Sequence, residues 1–303
     1  MRWRGAVVVV LAVLVAALLA GHRLIPDVAG NPGSIVETFL PWLGLSVPVL
    51  AVLAWWRRPA VALPVVLLPL VAWVVVFGPA LLPDGGEGGL VAVQHNASDE
   101  NADPAGTVRE LLRASPDLVA LTEVLPETVP AYGAAFGAAL PHRAGHGTVA
   151  LWSRHPVVEQ GPLDIRPREF GPDWNRGLRA VIRTPGGDVA VFVAHLPSVR
   201  MGLKGFGTGP RDESATRLGA ALTAEPLGRV LLLGDLNGTV HDRGLRPVTG
   251  QLATAPAFAF SWPARAPVAR IDQILGRGLT VTSLWSLPRT GSDHLPIAAR
   301  IRL

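Results

Sequence analysis

Arg229-Val-Leu-Leu-Leu-Gly-Asp-Leu-Asn-Gly238 holds four consecutive apolar residues and ends abruptly in a carboxylate and an amide. A run this short, bounded by Gly and turn-forming residues, reads as a buried strand over Arg229 to Gly234. The same pattern recurs to either side. Leu90-Val-Ala-Val-Gln-His-Asn96 closes on Asn96, Asp117 to Val124 carries Glu123 at its end, and Asp188 to His195 closes on His195. Asp272 lies in the run Ile271 to Leu275, and the pair Asp293-His294 stands just before Pro296 to Ile301. Strands that deliver carboxylate, amide and imidazole groups to a common edge are how a hard-cation site is assembled from oxygen ligands. Taken singly, each residue has a plain structural reading. Asn96 can end a strand in a turn, Glu123 can cap the helix after it, and Asp235 can be a turn residue within Gly-Asp-Leu-Asn-Gly.

Between these runs the period changes. Pro104 to Ala114 places Val108, Leu111 and Leu112 on one helical face, and Pro116 stops it. An Ala-rich helical stretch extends to about Leu140, and Arg211 to Leu222 also reads as a helix. Gly147 to Trp152 and Leu178 to Arg183 add strands. Many strands, fewer helices and polar strand ends predict an α/β or α+β sandwich whose loops build one site.

The remaining apolar content lies at the other end of the chain. Of 303 residues 49% are hydrophobic and only 17% charged, which excludes a disordered tail protein and is too apolar for one ordinary soluble domain. Gly5 to Gly21, Phe39 to Trp56 and Ala60 to Leu82 are uncharged apart from the first run's flanks, and each has the length of a helix crossing about 30 Å of hydrocarbon. They predict three transmembrane helices over 1–82, with Arg2, Arg4, Arg57 and Arg58 retained inside and everything after Leu82 outside. Residues 83–89, Pro-Asp-Gly-Gly-Glu-Gly-Gly, read as a linker, and 90–303 as one well-buried domain. The absence of Cys excludes thiolate nucleophiles, Cys-ligated zinc and disulfide scaffolds. Of 27 basic and 23 acidic residues, five Arg and two acids precede Pro83, leaving 22 against 21 beyond it. That near-neutral balance lacks the surface that supplies nuclease affinity.

The ordered set of a strand ending in Asn96, Leu-Thr-Glu123, Trp-Ser-Arg-His-Pro156, His195-Leu-Pro, Leu-Gly-Asp235-Leu-Asn237, Arg-Ile-Asp272 and Ser-Asp293-His294-Leu-Pro resembles the endonuclease/exonuclease/phosphatase superfamily. The resemblance covers 90–303 and implies a four-layer sandwich, two mixed β-sheets flanked by helices. It implies hydrolysis of phosphoric esters with a divalent cation, Mg²⁺ or alternatively Mn²⁺. By the matching positions, Glu123 with Asn96 and Asp293 would hold the metal, and Asp235 would orient or deprotonate the attacking water beside Asn237. Asp272 would hold the imidazole of His294, and His195 would donate to a phosphoryl oxygen in the transition state. Weaker candidates for gripping the substrate phosphate are Arg154, Arg176 (with Arg179 close by) and Lys204, the sole Lys, in the Gly-rich stretch Met201 to Gly209. DNA-repair members carry an Asp two residues beyond the strand-end Asn. Here that place is Ser98, which puts a second cation in doubt.

Three spans followed by this domain are similar to membrane proteins of the VanJ type, associated with teicoplanin resistance. The resemblance implies a multi-pass protein of the cell membrane with an extracytoplasmic catalytic domain and a lipid-linked or other envelope phosphate ester as substrate. An extracellular nuclease and a non-catalytic ligand-binding protein are the alternatives, and the oligomeric state is left open.

Overall fold

The computed structural model describes residues 3–26, 28–57, 62–82, 89–203 and 205–303. The chain divides into two units, Met1–Pro83 and Asp84–Leu303. All but Gly89 of the expected linker lies outside the described residues, as do Arg2 and Arg58 of the orientation argument and Lys204.

The first unit contains α1 (Trp3–Gly21), α2 (Pro32–Thr38), α3 (Ser46–Arg57), α4 (Ala62–Val65) and α5 (Leu67–Phe77). Three spans are not what forms among the described residues. Gly5–Leu24 alone is long and apolar enough to cross a membrane, or two candidates result if Pro32–Thr38 and Leu40–Trp56, bent by 70°, are taken as one broken span. Leu67–Leu81 is shorter. The second run breaks because Leu40–Leu45 winds as a 3₁₀ turn with Pro41 near its start. Trp73 Nε1 donates to the Pro41 carbonyl at 2.7 Å, and a Cβ on Gly44 would lie 2.5 Å from that nitrogen, so only Gly passes there. In the third run Pro69 has no N–H for the Val65 carbonyl, and the helix is interrupted at Val66.

The second unit runs β1 (Leu90–Asn96), α6 (Pro104–Leu112), β2 (Leu118–Thr122), α7 (Val129–Phe136), β3 (His142–His146), β4 (Val149–Ser153), β5 (Val157–Pro162), β6 (Gly177–Thr184) and β7 (Gly187–His195). It continues through β8 (Arg200–Gly202), β9 (Gly205–Gly207), α8 (Gly209–Ala224), β10 (Val230–Asp235), α9 (Arg246–Thr249), β11 (Asp272–Arg277), β12 (Thr280–Ser286) and β13 (Ile297–Arg302). One sheet has the order β12-β13-β1-β2-β4-β3 and the other β11-β10-β7-β6-β5. Both are mixed, since β1 pairs with β2 and β10 with β7 in parallel while their other pairings are antiparallel.

Side-chain alternation explains why the deciding run is apolar throughout. Leu231 and Leu233 of β10 face the other sheet in a core shared with Ala92, Leu118, Ala120 and Ile297. Val230 and Leu232 point the other way, onto Leu218 and Leu222 of α8. On the first sheet Val93, Val119 and Leu121 pack against Val108 and Leu111 of α6 and Tyr132 and Phe136 of α7. Strands covered on both faces read as continuous apolar runs, and two sheets between helices make the expected four layers.

Gly234 lies where β10 passes closest to β7. A Cβ there would meet the Ala194 carbonyl oxygen at 2.1 Å, a backbone atom with no room to give. Gly234→Ala is expected to cost about 1–3 kcal/mol of stability and to shift Asp235 next to it. Urea unfolding of the full chain in detergent measures the first effect, and an unchanged midpoint would show that the strands separate at no cost.

Candidate active site

Register carries the polar strand ends to one place. Asp235 of β10 is paired with His195 of β7 on one side and with Asp272 of β11 on the other. In the facing sheet Asn96 of β1 is level with Thr122 of β2, so Glu123 projects from the next position. Glu123 and Asn237 take left-handed φ of 56° and 48°, a conformation that is uncommon outside Gly and concentrates at functional sites.

The side chains interlock. Asn96 Nδ2 donates to Asp235 Oδ2 at 3.1 Å, which bridges the two sheets. The Asn237 amide donates to Asp235 Oδ1 at 2.9 Å, and its side chain donates to the Leu196 carbonyl at 2.9 Å. His294 Nδ1 lies 2.7 Å from Asp272 Oδ2, and its Nε2 is 3.8 Å from Asp235 Oδ2. Ser292 fixes the loop that carries His294, donating to the Asn96 carbonyl at 2.7 Å and accepting from the His294 amide at 3.0 Å. His195 Nε2 faces both Glu123 and Asp235 at 3.7 Å. Arg176 Nη1 lies against the His195 ring, 3.1 Å from Nδ1 and 3.4 Å from Nε2.

Electrostatics divides the roles. Burial, reinforced by Asp272, pushes the Asp235 carboxyl up to about 7. Burial opposes charge on His294, but Asp272 and Asp235 outweigh it and hold the imidazolium up to about 10. Burial likewise opposes ionisation of Asp272, yet the charge and hydrogen bond of His294 keep its carboxyl below the usual range. His195 is pushed well below its ordinary value by burial, Arg176 and His294, and is neutral. Burial raises the Glu123 carboxyl, an Asn96 hydrogen bond draws it back, and Asp99 raises it again.

Two groups of residues offer themselves to a metal. Asp235, Asp272 and His294 present ligand atoms within 4.8 Å of one another, with His294 Nδ1 already bonded to Asp272 Oδ2 at 2.7 Å. Glu123, Asp99 and Asp293 line one open cleft. Their oxygen atoms, with that of the adjacent Asn96 amide, are the donor set a hard cation takes.

Of the weaker candidates, Arg176 reaches the site through His195 and also lies over Trp174 at 5.4 Å. Arg154 does not reach it. β4 runs antiparallel to β2 and pairs Ser153 with Leu118, so Arg154 emerges at the strand edge opposite Glu123 and pairs with Asp117 at 3.2 Å. Arg179 is committed to Glu225 and Glu159. In the Gly-rich stretch β8 pairs with β9 in antiparallel fashion. Sequence reasoning passed over His95, which is fully buried with Nε2 2.9 Å from Thr290 Oγ1 and is held by burial at about 3. It also passed over Ser261, whose hydroxyl accepts from the Asp272 amide at 3.3 Å. A polar residue inside a strand run, as His95 is, was the available signal for the first, and nothing marked the second.

The fold is shared with solved structures. Sphingomyelinase C from Streptomyces griseocarneus is 21% identical, with a TM-score of 0.53 over 70% of this chain and 98% of that one. A magnesium-bound mutant of beta toxin from Staphylococcus aureus is 16% identical (TM-score 0.53, 70% and 99%). TDP2 from D. rerio, complexed with a single-strand DNA product, is 16% identical (TM-score 0.55, 71% and 99%). No curated protein matches the chain by sequence. Residues 85–294, well over half of the chain, match the model of the Endonuclease/Exonuclease/phosphatase family, and the chain belongs to that family.

Proposed function

We propose that this hydrolase of phosphoric ester bonds works with a divalent cation, Mg²⁺ or Mn²⁺, is held at the membrane by its amino-terminal unit, and acts outside on a lipid-linked or other envelope phosphate ester. The observation that carries the chemistry is the in-register convergence of Asn96, His195, Asp235 and Asp272, with Glu123 and His294 beside them. The anchoring rests on the apolar helix Gly5–Leu24. The envelope setting rests on the resemblance to VanJ-type proteins.

Glu123, Asn96 and Asp293 would hold the cation, which when bound polarises a phosphoryl oxygen and neutralises developing charge. Asp235, ionised above about pH 7, takes the proton of the attacking water. Its two oxygens are aimed by Asn96 and by the Asn237 amide. His294, positively charged and oriented by Asp272, stabilises the negative phosphoryl group. His195 donates its ring N–H to a non-bridging oxygen, with the Arg176 guanidinium held against the ring.

The test is phosphate release by the full chain in detergent. Release with Mg²⁺, loss in chelator and recovery on adding Mg²⁺ back are expected. Release that persists in chelator would overturn the metal requirement, and DNA nicking without phosphate release would make the protein a nuclease.

A further inference from the structure

The cleft that holds Glu123 and Asp293 is lined by basic residues as well. Its lining includes Arg265 and Arg289 along with Asp99, Glu100, Glu123 and Asp293, around a volume of ≈ 690 Å³. Both arginines are exposed, and among the described residues neither forms an ion pair or a side-chain hydrogen bond. In a cleft with four carboxylates, guanidinium groups within reach would pair with them. These two remain free.

The backbone that presents them is fixed. Ala264, just before Arg265, donates its amide to the Asp293 carbonyl at 2.6 Å, and Ala266, just after it, donates to the Pro263 carbonyl at 3.0 Å. Ser261 and Val268 close the same turn through Ala269 and Trp262, and Leu295 donates to the Ser261 carbonyl at 2.7 Å. Arg289 precedes Thr290, whose hydroxyl is held by His95 at 2.9 Å and accepts from the Ser292 amide at 3.3 Å. The two cations therefore stand on segments tied to the loop that carries Asp293 and His294. Arg176, which does reach the site, is engaged on His195.

We propose that Arg265 and Arg289 form a subsite for a second phosphate, so that the preferred substrate carries two phosphates, the scissile one at Asp235 and its neighbour on the arginines. The inference rests on the hydrolase reading above and narrows its substrate class. A forked guanidinium matches phosphate oxygens in bidentate geometry, and with the backbone already ordered only side-chain freedom is lost on binding. The second phosphate belongs either to a lipid diphosphate or to a nucleoside diphosphate, which share this chemistry.

The experiment uses the full chain in detergent with Mg²⁺, as wild type and as Arg265→Gln/Arg289→Gln. Farnesyl diphosphate is compared with farnesyl monophosphate, and ADP with AMP. The ratio of kcat/KM for diphosphate over monophosphate is expected to fall about tenfold or more in the double variant, chiefly through KM. The pair with the larger fall tells lipid from nucleotide. A ratio unchanged in both pairs would overturn the subsite. Calorimetric binding of inorganic pyrophosphate and orthophosphate separates this outcome from failure of the hydrolase reading. A wild-type preference for pyrophosphate that the double variant loses supports the subsite even where no ester is cleaved, and its absence from wild type overturns it.

Discussion

Asp235→Asn is expected to lower kcat for phosphate-ester hydrolysis by about 10²–10⁴-fold, the range for loss of a positioned general base. The substitution preserves shape. Asn237 still donates to an amide oxygen where it now donates to Asp235 Oδ1, so KM should change little. The Asn96 contact changes more, because its Nδ2 would face either an amide oxygen or an amide nitrogen. The pH profile gives a second readout. Asp235 works ionised and its carboxyl is held at about 7, chiefly by burial and then by Asp272. Wild-type activity should therefore fall as pH drops through about 7, and hold on the alkaline side until His294 loses its proton near 10. In Asp235→Asn the acid limb should be missing from whatever rate remains. A variant with nearly full rate and the same acid limb would move the base elsewhere, and His195 is excluded from titrating there because burial keeps it neutral.

Much of this site is legible in the sequence because its residues end apolar runs. Leu90–Asn96 is the strand its sequence predicts, residue for residue, and the strand expected over Arg229 to Gly234 forms one residue further on, over Val230–Asp235. The strands that escaped are of another kind. β3 and β5 lie at the edges of their sheets and leave most of His142–His146 and Val157–Pro162 partly or fully exposed, so neither shows an apolar run or clean alternation. β12 alternates, but a register shift between Val281 and Ser283 breaks its period. Arg154 was misplaced because a motif gives order along the chain, whereas the edge a strand ends on depends on its direction. The apolar runs near the amino terminus were long enough for three spans, and Pro41 and Pro69 decided otherwise. Arg265 and Arg289 lie in stretches with no periodic signal, and only folding brings them into one cleft with Glu123.

Arg211→Met should destabilise the protein by about 3–5 kcal/mol, the cost of leaving a buried charge without its partner. The guanidinium is wholly buried. It donates from Nη2 to Asp242 Oδ1 at 2.9 Å, from Nε to Asp212 Oδ1 at 2.6 Å and from Nη1 to the Asn237 carbonyl at 3.0 Å. The loop after β10 is wrapped around it so closely that a Cβ on Gly238 would lie 2.3 Å from Nη1. Asp242 is buried too, and burial already raises its carboxyl while Arg211 pulls it down. Without Arg211 that carboxyl rises further and takes up a proton closer to neutral pH, so the variant should also lose less stability on acidification than wild type. Removing both charges, as Arg211→Met with Asp242→Leu, should recover part of the loss. Full recovery is not expected, because Asp242 also accepts the Gly244 amide at 2.8 Å and the Asn237 carbonyl would still lack its donor. Urea unfolding of the full chain in detergent, followed by near-ultraviolet circular dichroism, measures each term. A loss below about 1 kcal/mol for Arg211→Met would mean that water reaches the cluster and that exposed-pair energetics apply. The full loss, together with a fall in kcat larger than any change in KM, would tie the stability of α8 to the placement of Asn237 beside Asp235.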